Sequence, residues 1–313
     1  MSYDMIIIGC GAAGATAAIY GVRAGKSVLV LEKMPGGMGQ IATSHQVDNY
    51  TGLPGISGFD LGMKFRKHAK DAGAEILDKA VLSITKSGDT FAVETKSETY
   101  EAKVVIYATG AVPKELGIPS EAKFKGRGVS YCANCDGFFY KDKVVAVIGG
   151  GDVALDDALY LSDIAQKVYL VHRRAGFRGA ASTLQKVLAK ENIEVIPYAV
   201  VDEILGENKV EGLRLKPSGI EVTEMQDKAL TETREIAVDG VFLAIGTTPQ
   251  TDLIKDLAEL QGGYAVAGEN CETQTAGLYV AGDIRTKELR QLITAASDGA
   301  NAATNAANYL NHI

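Results

Sequence analysis

The sequence predicts an α/β fold of two Rossmann-like nucleotide-binding domains, one inserted within the other, and three observations carry that prediction. A strand, a glycine-rich turn, a helix and a second strand follow one another at the start of the chain. The same unit recurs near the middle with the same internal spacing. A later strand segment then completes the first unit. The length, 313 residues, suits two domains of ordinary size.

The first unit opens with an apolar strand at residues 5–8 that runs into Gly9-Cys10-Gly11-Ala12-Ala13-Gly14. A helix-prone stretch follows at 15–24, then a strand at 27–31 that ends at Glu32. The three glycines serve different ends. Gly9 makes the tight turn, Gly11 lets the backbone approach a pyrophosphate, and Gly14 lets the helix pack close to the sheet. The helix N-terminus then offers free N–H groups and its positive dipole end to the phosphates. Glu32 stands where a carboxylate can accept hydrogen bonds from a ribose diol. Glycine turns that bind nothing also exist, but here strand, helix and acidic residue are in register.

The second unit has a strand at 144–148, then Gly149-Gly150-Gly151-Asp152-Val153-Ala154, a helix reaching Leu161 and a strand at 167–171. The interval from Gly9 to Glu32 equals that from Gly149 to His172. A later strand matches too, ending at Ala108-Thr109-Gly110 in one unit and at Ala244-Ile245-Gly246 in the other. Repeated spacing of this kind argues for two homologous nucleotide domains. Where the first has Glu32, the second has His172-Arg173-Arg174, with Arg178 close behind. A carboxylate repels a 2′-phosphate, whereas guanidinium groups grip one. The first site is therefore expected to take a nucleotide with free ribose hydroxyls and the second NADP(H); the alternative for the second is a solvated basic turn.

After the second unit come Gly277-Leu278-Tyr279-Val280-Ala281-Gly282-Asp283, Arg290-Gln291 and an alanine-rich helix. This segment returns to the first domain. The expected division is 1–112 and 247–313 for the first domain and 113–246 for the inserted one, with joins in stretches rich in turn residues.

Composition narrows the function classes. A formal net charge of −7 without Lys/Arg runs speaks against nucleic acid and against an anionic membrane surface. No apolar stretch approaches the roughly 20 residues of a membrane span. The start, Met1-Ser2-Tyr3-Asp4, has no basic leader, so the cytoplasm is the expected compartment.

Four cysteines do not make a disulfide framework, so the close pair in Cys132-Ala133-Asn134-Cys135 calls for a chemical role. Two cysteines at this spacing suit a readily reduced disulfide that works by exchange. Half of a zinc site is the main rival, but no second pair exists; Cys10 and Cys271 are isolated, and the histidines are His45, His68, His172 and His312. An inert buried pair is the other alternative. Exchange needs a thiolate to attack and a proton for the leaving sulfur. Asp136, next to the second cysteine, is the nearest acid, and burial that raised its pKa would suit it to supply that proton. A turn-forming Asp before Gly137 is the competing reading.

Taken together, Gly9 to Gly14, Gly39-Gln40, Asn49, Ala108-Thr109-Gly110, Cys132 to Phe139, Gly149 to Ala154, His172 to Arg178, Gly282-Asp283 and Arg290-Gln291 resemble the low-molecular-weight thioredoxin reductases along essentially the whole chain. The resemblance implies that the first domain holds FAD and the inserted one NADPH and the redox pair. It implies FAD contacts at Gly9, Gly11, Ala12, Ala13, Gly14, Glu32, Lys33, Gly39, Gln40, Asn49, Ala80, Val81, Ala108, Thr109, Gly110, Gly282, Asp283, Arg290 and Gln291. For NADPH it implies Gly149, Gly151, Asp152, Val153, Ala154, His172, Arg173, Arg174, Arg178, Ile245 and Gly246. It further implies a homodimer that reduces the disulfide of thioredoxin, with Cys135 facing the flavin, Cys132 attacking the partner, and the inserted domain swinging on its two joins.

The chain departs from the family pattern at a few places. Met38 stands between Gly36-Gly37 and Gly39-Gln40, where the family runs Gly-Gly-Gln. Asn134 replaces the usual Thr. Cys10, where Ser is common, reads as structural, and Cys271 as incidental. Rival functions are a reductase of the same fold fed by ferredoxin, a small-molecule dithiol oxidase, a reductase of another protein disulfide, and a non-catalytic nucleotide sensor. The first two tend to lose the second glycine motif and the Arg cluster, both of which this chain keeps.

Overall fold

The computed structural model describes residues 2–44, 47 and 49–313. The chain forms β1 (Ser2–Ile8), α1 (Ala12–Arg23), β2 (Val28–Leu31), α2 (Gly58–Asp71), β3 (Glu75–Leu77), β4 (Val81–Ser87), β5 (Thr90–Thr95) and β6 (Thr99–Tyr107). It crosses at β7 (Ala111–Pro113) and continues as α3 (Pro119–Phe124), β8 (Val129–Ser130), α4 (Ala133–Asp136), β9 (Val144–Gly149), α5 (Asp152–Ser162), β10 (Lys167–His172), α6 (Ala181–Ala189) and β11 (Ile193–Pro197). Then come β12 (Ala199–Leu205), β13 (Gly212–Pro217), β14 (Arg234–Ala237) and β15 (Gly240–Ala244). A return crossing at β16 (Thr247–Pro249) leads to β17 (Leu260–Gln261), β18 (Tyr264–Ala265), β19 (Leu278–Val280) and α7 (Leu292–Leu310). Packing divides the chain into Met1–Val112 with Thr248–Ile313, and Pro113–Thr247, so the second unit is inserted in the first. The return falls one residue beyond the expected 246/247 join.

In the first unit β3, β2, β1, β6 and β19 run parallel, and β5 and β4 extend β6 as an antiparallel meander. β6 is long enough to serve both arrangements, pairing with β5 through residues 99–102 and with β19 through 105–107. Side chains alternate across the sheet as the period of two demands. Met5, Ile7, Val28, Val30, Val104 and Ile106 meet the face covered by α1 and α7. Ile6, Ile8, Leu29, Leu31, Val105 and Tyr107 meet the other face. Small residues let α1 and α7 touch through their backbones: a Cβ at Gly299 would lie 2.1 Å from the Ala13 carbonyl oxygen.

The inserted unit repeats the design. Its sheet, β11-β10-β9-β15-β8, is wholly parallel. Val145, Val147, Val168, Leu170 and Phe242 pack under α5 and α6 with Ala133 of α4. The opposite face, including Ala146, Ile148, Val171 and Leu243, packs on the antiparallel sheet β12-β13-β14. Both helices that follow glycine turns start earlier than the sequence suggests. In the first unit Ala12 is already helical, because Gly11 is extended and acts as the N-cap.

Candidate active site

β1 delivers the chain to Gly9, whose φ of +99° lies in the region that favours glycine. A Cβ there would also sit 2.5 Å from the Ala108 carbonyl oxygen, and one at Gly14 would sit 1.9 Å from the Gly9 oxygen. Turn, helix and the end of β6 are thus in backbone contact. Gly11 caps α1 without a side-chain bond, and the first intrahelical bond runs from Ala15 N–H to Gly11, leaving the N–H groups of Ala12, Ala13 and Gly14 to an anion. Glu32 is buried and already engaged: its carboxylate accepts from Cys10 N–H at 2.9 Å and from Met34 N–H at 3.1 Å. Its remaining lone pairs can still accept from a ribose diol. Lys33 beside it is exposed.

Residues expected at FAD from the rest of the unit gather in small bonded groups. Gly39 approaches Gly11 closely, a Cβ at Gly39 lying 3.0 Å from the Gly11 Cα. Gln40 Nε2 donates to the Ala111 carbonyl. Asn49 Nδ2 donates to Gln291 Oε1 at 3.0 Å, joining two expected contacts far apart in the chain. Thr109 Oγ1 donates to the Gln250 carbonyl at 2.9 Å, and Gln250 N–H donates to Gly110 at 3.1 Å. Ala80 is exposed and Val81 half-buried at the start of β4. Met38 is buried against Gly62 of α2, so this departure from the family pattern is taken up as packing.

The unit also presents polar atoms that need a partner. Among the described residues Asp283 Oδ1 and Arg290 Nε are buried without one. Burial pushes the Asp283 carboxyl above its usual range. A ligand rich in hydroxyls and phosphates next to an open helix N-terminus answers both, so the residues present fit FAD. Sequence reasoning missed the groups that hold these two in place. Asp298 accepts from Gly282 N–H at 2.9 Å, from Arg285 at 2.7 and 2.9 Å, and from Lys287 at 2.8 Å. Burial opposes its ionisation, but those bonds from Arg285 and Lys287 keep the carboxyl below its usual range. The Arg290 guanidinium lies 4.1 Å above the Tyr264 ring, a cation–π contact. Arg66 of α2 donates to the Gly37 carbonyl and pairs with Asp78. None of these follows a spacing rule, which is why the sequence alone does not mark them.

In the inserted unit Cys132 and Cys135 are joined by a disulfide. Cys132 caps α4, and its carbonyl accepts from the N–H groups of Cys135 and Asp136 at 3.2 and 3.1 Å. Both cysteines are half-exposed, Asn134 is exposed, and Ala133 anchors the turn in the core. Asp136 Oδ2 lies 2.6 Å from Ser130 Oγ, a residue that sequence reasoning also missed. The remaining cysteines are buried free thiols, with burial pushing Cys10 up to about 11 and Cys271 up to about 12. Among the described residues no group of three His, Cys, Asp or Glu stands together as a metal site; His45, one of the histidines weighed for zinc, lies outside them.

The second glycine turn copies the first. A Cβ at Gly149 would lie 2.4 Å from the Ala244 carbonyl oxygen, while Gly151 faces open space and caps α5 without a side-chain bond. Asp152 accepts from Ala180 N–H at 2.7 Å, and Arg178 N–H donates to Gly150 at 2.7 Å. The segment bearing Arg178 is thereby folded back onto the turn. Val153 is exposed and Ala154 buried in the first turn of α5. Arg173, Arg174 and Arg178 are exposed and, among the described residues, in no ion pair. His172 is buried, with Nε2 unpartnered among the described residues, its ring filling the space a side chain at Gly150 would need. Burial lowers its pKa and so do the charges of the three arginines, against a hydrogen bond with the Gly176 backbone that acts the other way. Ile245 and Gly246 end the strand segment, where Gly246 accepts from Lys114 N–H at 2.9 Å. Exposed guanidinium groups beside an open helix N-terminus fit NADPH.

Comparison with known proteins agrees with this arrangement. The family model described as pyridine nucleotide-disulphide oxidoreductase matches residues 3–300. A thioredoxin reductase of Treponema pallidum is 41% identical over 309 residues, covering 98% of this chain and 97% of the relative. One of Helicobacter pylori is 40% identical over 319 residues, covering 99% of each. The crystal structure of a thioredoxin reductase from Streptococcus pyogenes is 36% identical, with a TM-score of 0.90 and coverage of 100% of this chain and 99% of that one.

Proposed function

The chain belongs to the pyridine nucleotide-disulphide oxidoreductase family, and on that premise we infer that it is an NADPH-dependent flavoenzyme that reduces the disulfide of thioredoxin. The observation that carries this reading is a half-exposed Cys132–Cys135 disulfide, with an acid beside it, on a unit built around a second nucleotide turn. When bound, FAD supplies a two-electron carrier between NADPH and that disulfide. Gly9 to Gly14, Asp283 and Arg290 would hold it in one unit. Gly149 to Ala154 and the three arginines would hold NADPH in the other.

The protein's own residues then perform exchange. The Cys132 thiolate attacks one sulfur of the thioredoxin disulfide, forming a mixed disulfide. The other thioredoxin sulfur leaves with the bonding electrons and takes a proton from Asp136. The Cys135 thiolate attacks Cys132, re-forming the intramolecular disulfide and releasing the second thioredoxin sulfur. Cys10 and Cys271 take no part, since burial keeps both protonated.

A homodimer and a cytoplasmic setting complete the reading. Phe59 and Met63, one turn apart on α2, are both exposed, an apolar stripe suited to a second copy. No helix among the described residues is long and apolar enough to cross a membrane, and two cysteines remain free thiols. Cys135→Ser tests the role of the pair. NADPH should still bleach the flavin of this variant while turnover with thioredoxin is lost; undiminished turnover contradicts the assignment.

A further inference from the structure

We propose that Ser130 is a positioning residue for the exchange reaction, holding Asp136 in one place through both of its protonation states; this rests on the reading of Asp136 as the acid. Ser130 ends β8 and is 5% exposed. Its Oγ accepts from Cys132 N–H at 3.1 Å. It lies 2.6 Å from Asp136 Oδ2 and 3.3 Å from the Cys132 carbonyl oxygen. The shorter distance is that of a hydroxyl bonded to a charged carboxylate.

A hydroxyl has one proton to give and two lone pairs to receive. Cys132 N–H takes one lone pair in every state. With Asp136 ionised, the Ser130 proton points to Oδ2. With Asp136 protonated, the carboxyl O–H donates to the second lone pair, and the Ser130 proton turns to the Cys132 carbonyl. Either way the hydroxyl proton has an acceptor and its oxygen at least one donor, and only a hydroxyl rotation separates the two arrangements. When the leaving thioredoxin sulfur takes the proton from Asp136, the Ser130 O–H swings onto the new carboxylate. The link to Cys132 N–H survives, so the acid stays registered to the attacking cysteine. Alanine at this position would lose all three contacts. Threonine keeps the hydroxyl.

The test is a double-mutant cycle on the FAD-loaded enzyme. Ser130→Ala should leave FAD content and flavin reduction by NADPH within twofold of the wild type, and lower thioredoxin turnover about tenfold. Ser130→Thr should restore turnover to within about threefold. In an Asp136→Asn background, which has no proton to deliver, Ser130→Ala should cost less than twofold more. Should the alanine variant lose its FAD, Ser130→Gly repeats the comparison. An undiminished Ser130→Ala enzyme, or an equal tenfold loss in both backgrounds, overturns the proposal. A wild-type enzyme with no response to thioredoxin would instead refute the function on which it rests.

Discussion

Two nucleotide turns of the same backbone design part company at single side chains. Glu32 places a buried carboxylate at the end of β2, whereas His172 at the end of β10 opens onto Arg173 and Arg174. On the proposed reading, this difference in charge selects the ribose, because a 2′-phosphate is repelled by the carboxylate and gripped by the guanidinium groups. Replacing Arg173 and Arg174 with alanine should raise the KM for NADPH about tenfold or more and change that for NADH less than twofold. Steady-state kinetics with both donors checks this, and an equal loss for the two would contradict it. Single residues differ in how legible they are. Gly9, Gly14 and Gly149 can be read from the chain because backbone contact admits no other residue. Ser130 and Asp298 cannot, since a hydroxyl six positions from its acid and a carboxylate in a late helix become partners only through the fold.

At the scale of elements, the helices do more than cover the sheets. α7 carries Asp298, which fastens the Gly282-Asp283 turn, while Gly299 packs on α1. The end of β19 is thus fixed relative to the first glycine turn. The alanine-rich pattern announces that α7 packs closely, but not the buried charges it brings. α5 carries Asp157, whose carboxyl burial pushes up to about 7, with Asp156 adding to the effect. Its folded pKa lies above the unfolded value, so the native state favours the protonated form. That contribution is complete below about pH 4 and is lost as the pH rises through about 7. Asp157→Asn should therefore match the wild type in thermal stability at pH 4 and exceed it at pH 8, by on the order of 1–3 kcal/mol. A difference of the same size at both pH values would show that the burial of Asp157 has another consequence.

For the whole molecule, duplication and insertion explain most of the architecture. Strand periodicity, repeated spacing and the late Gly282-Asp283 segment make two nucleotide units legible. The meander on β6 and the sheet β12-β13-β14 are less so, because short antiparallel strands carry no motif and declare themselves only by the faces they cover. The proposed reaction joins the two units, with electrons entering from NADPH and leaving through Cys132. The most direct test is NADPH consumption by the FAD-loaded protein with and without thioredoxin, with NADH in parallel. NADPH should be oxidised rapidly only when thioredoxin is present, and NADH at least about tenfold more slowly. A rate of NADPH oxidation unchanged by thioredoxin would contradict that reaction.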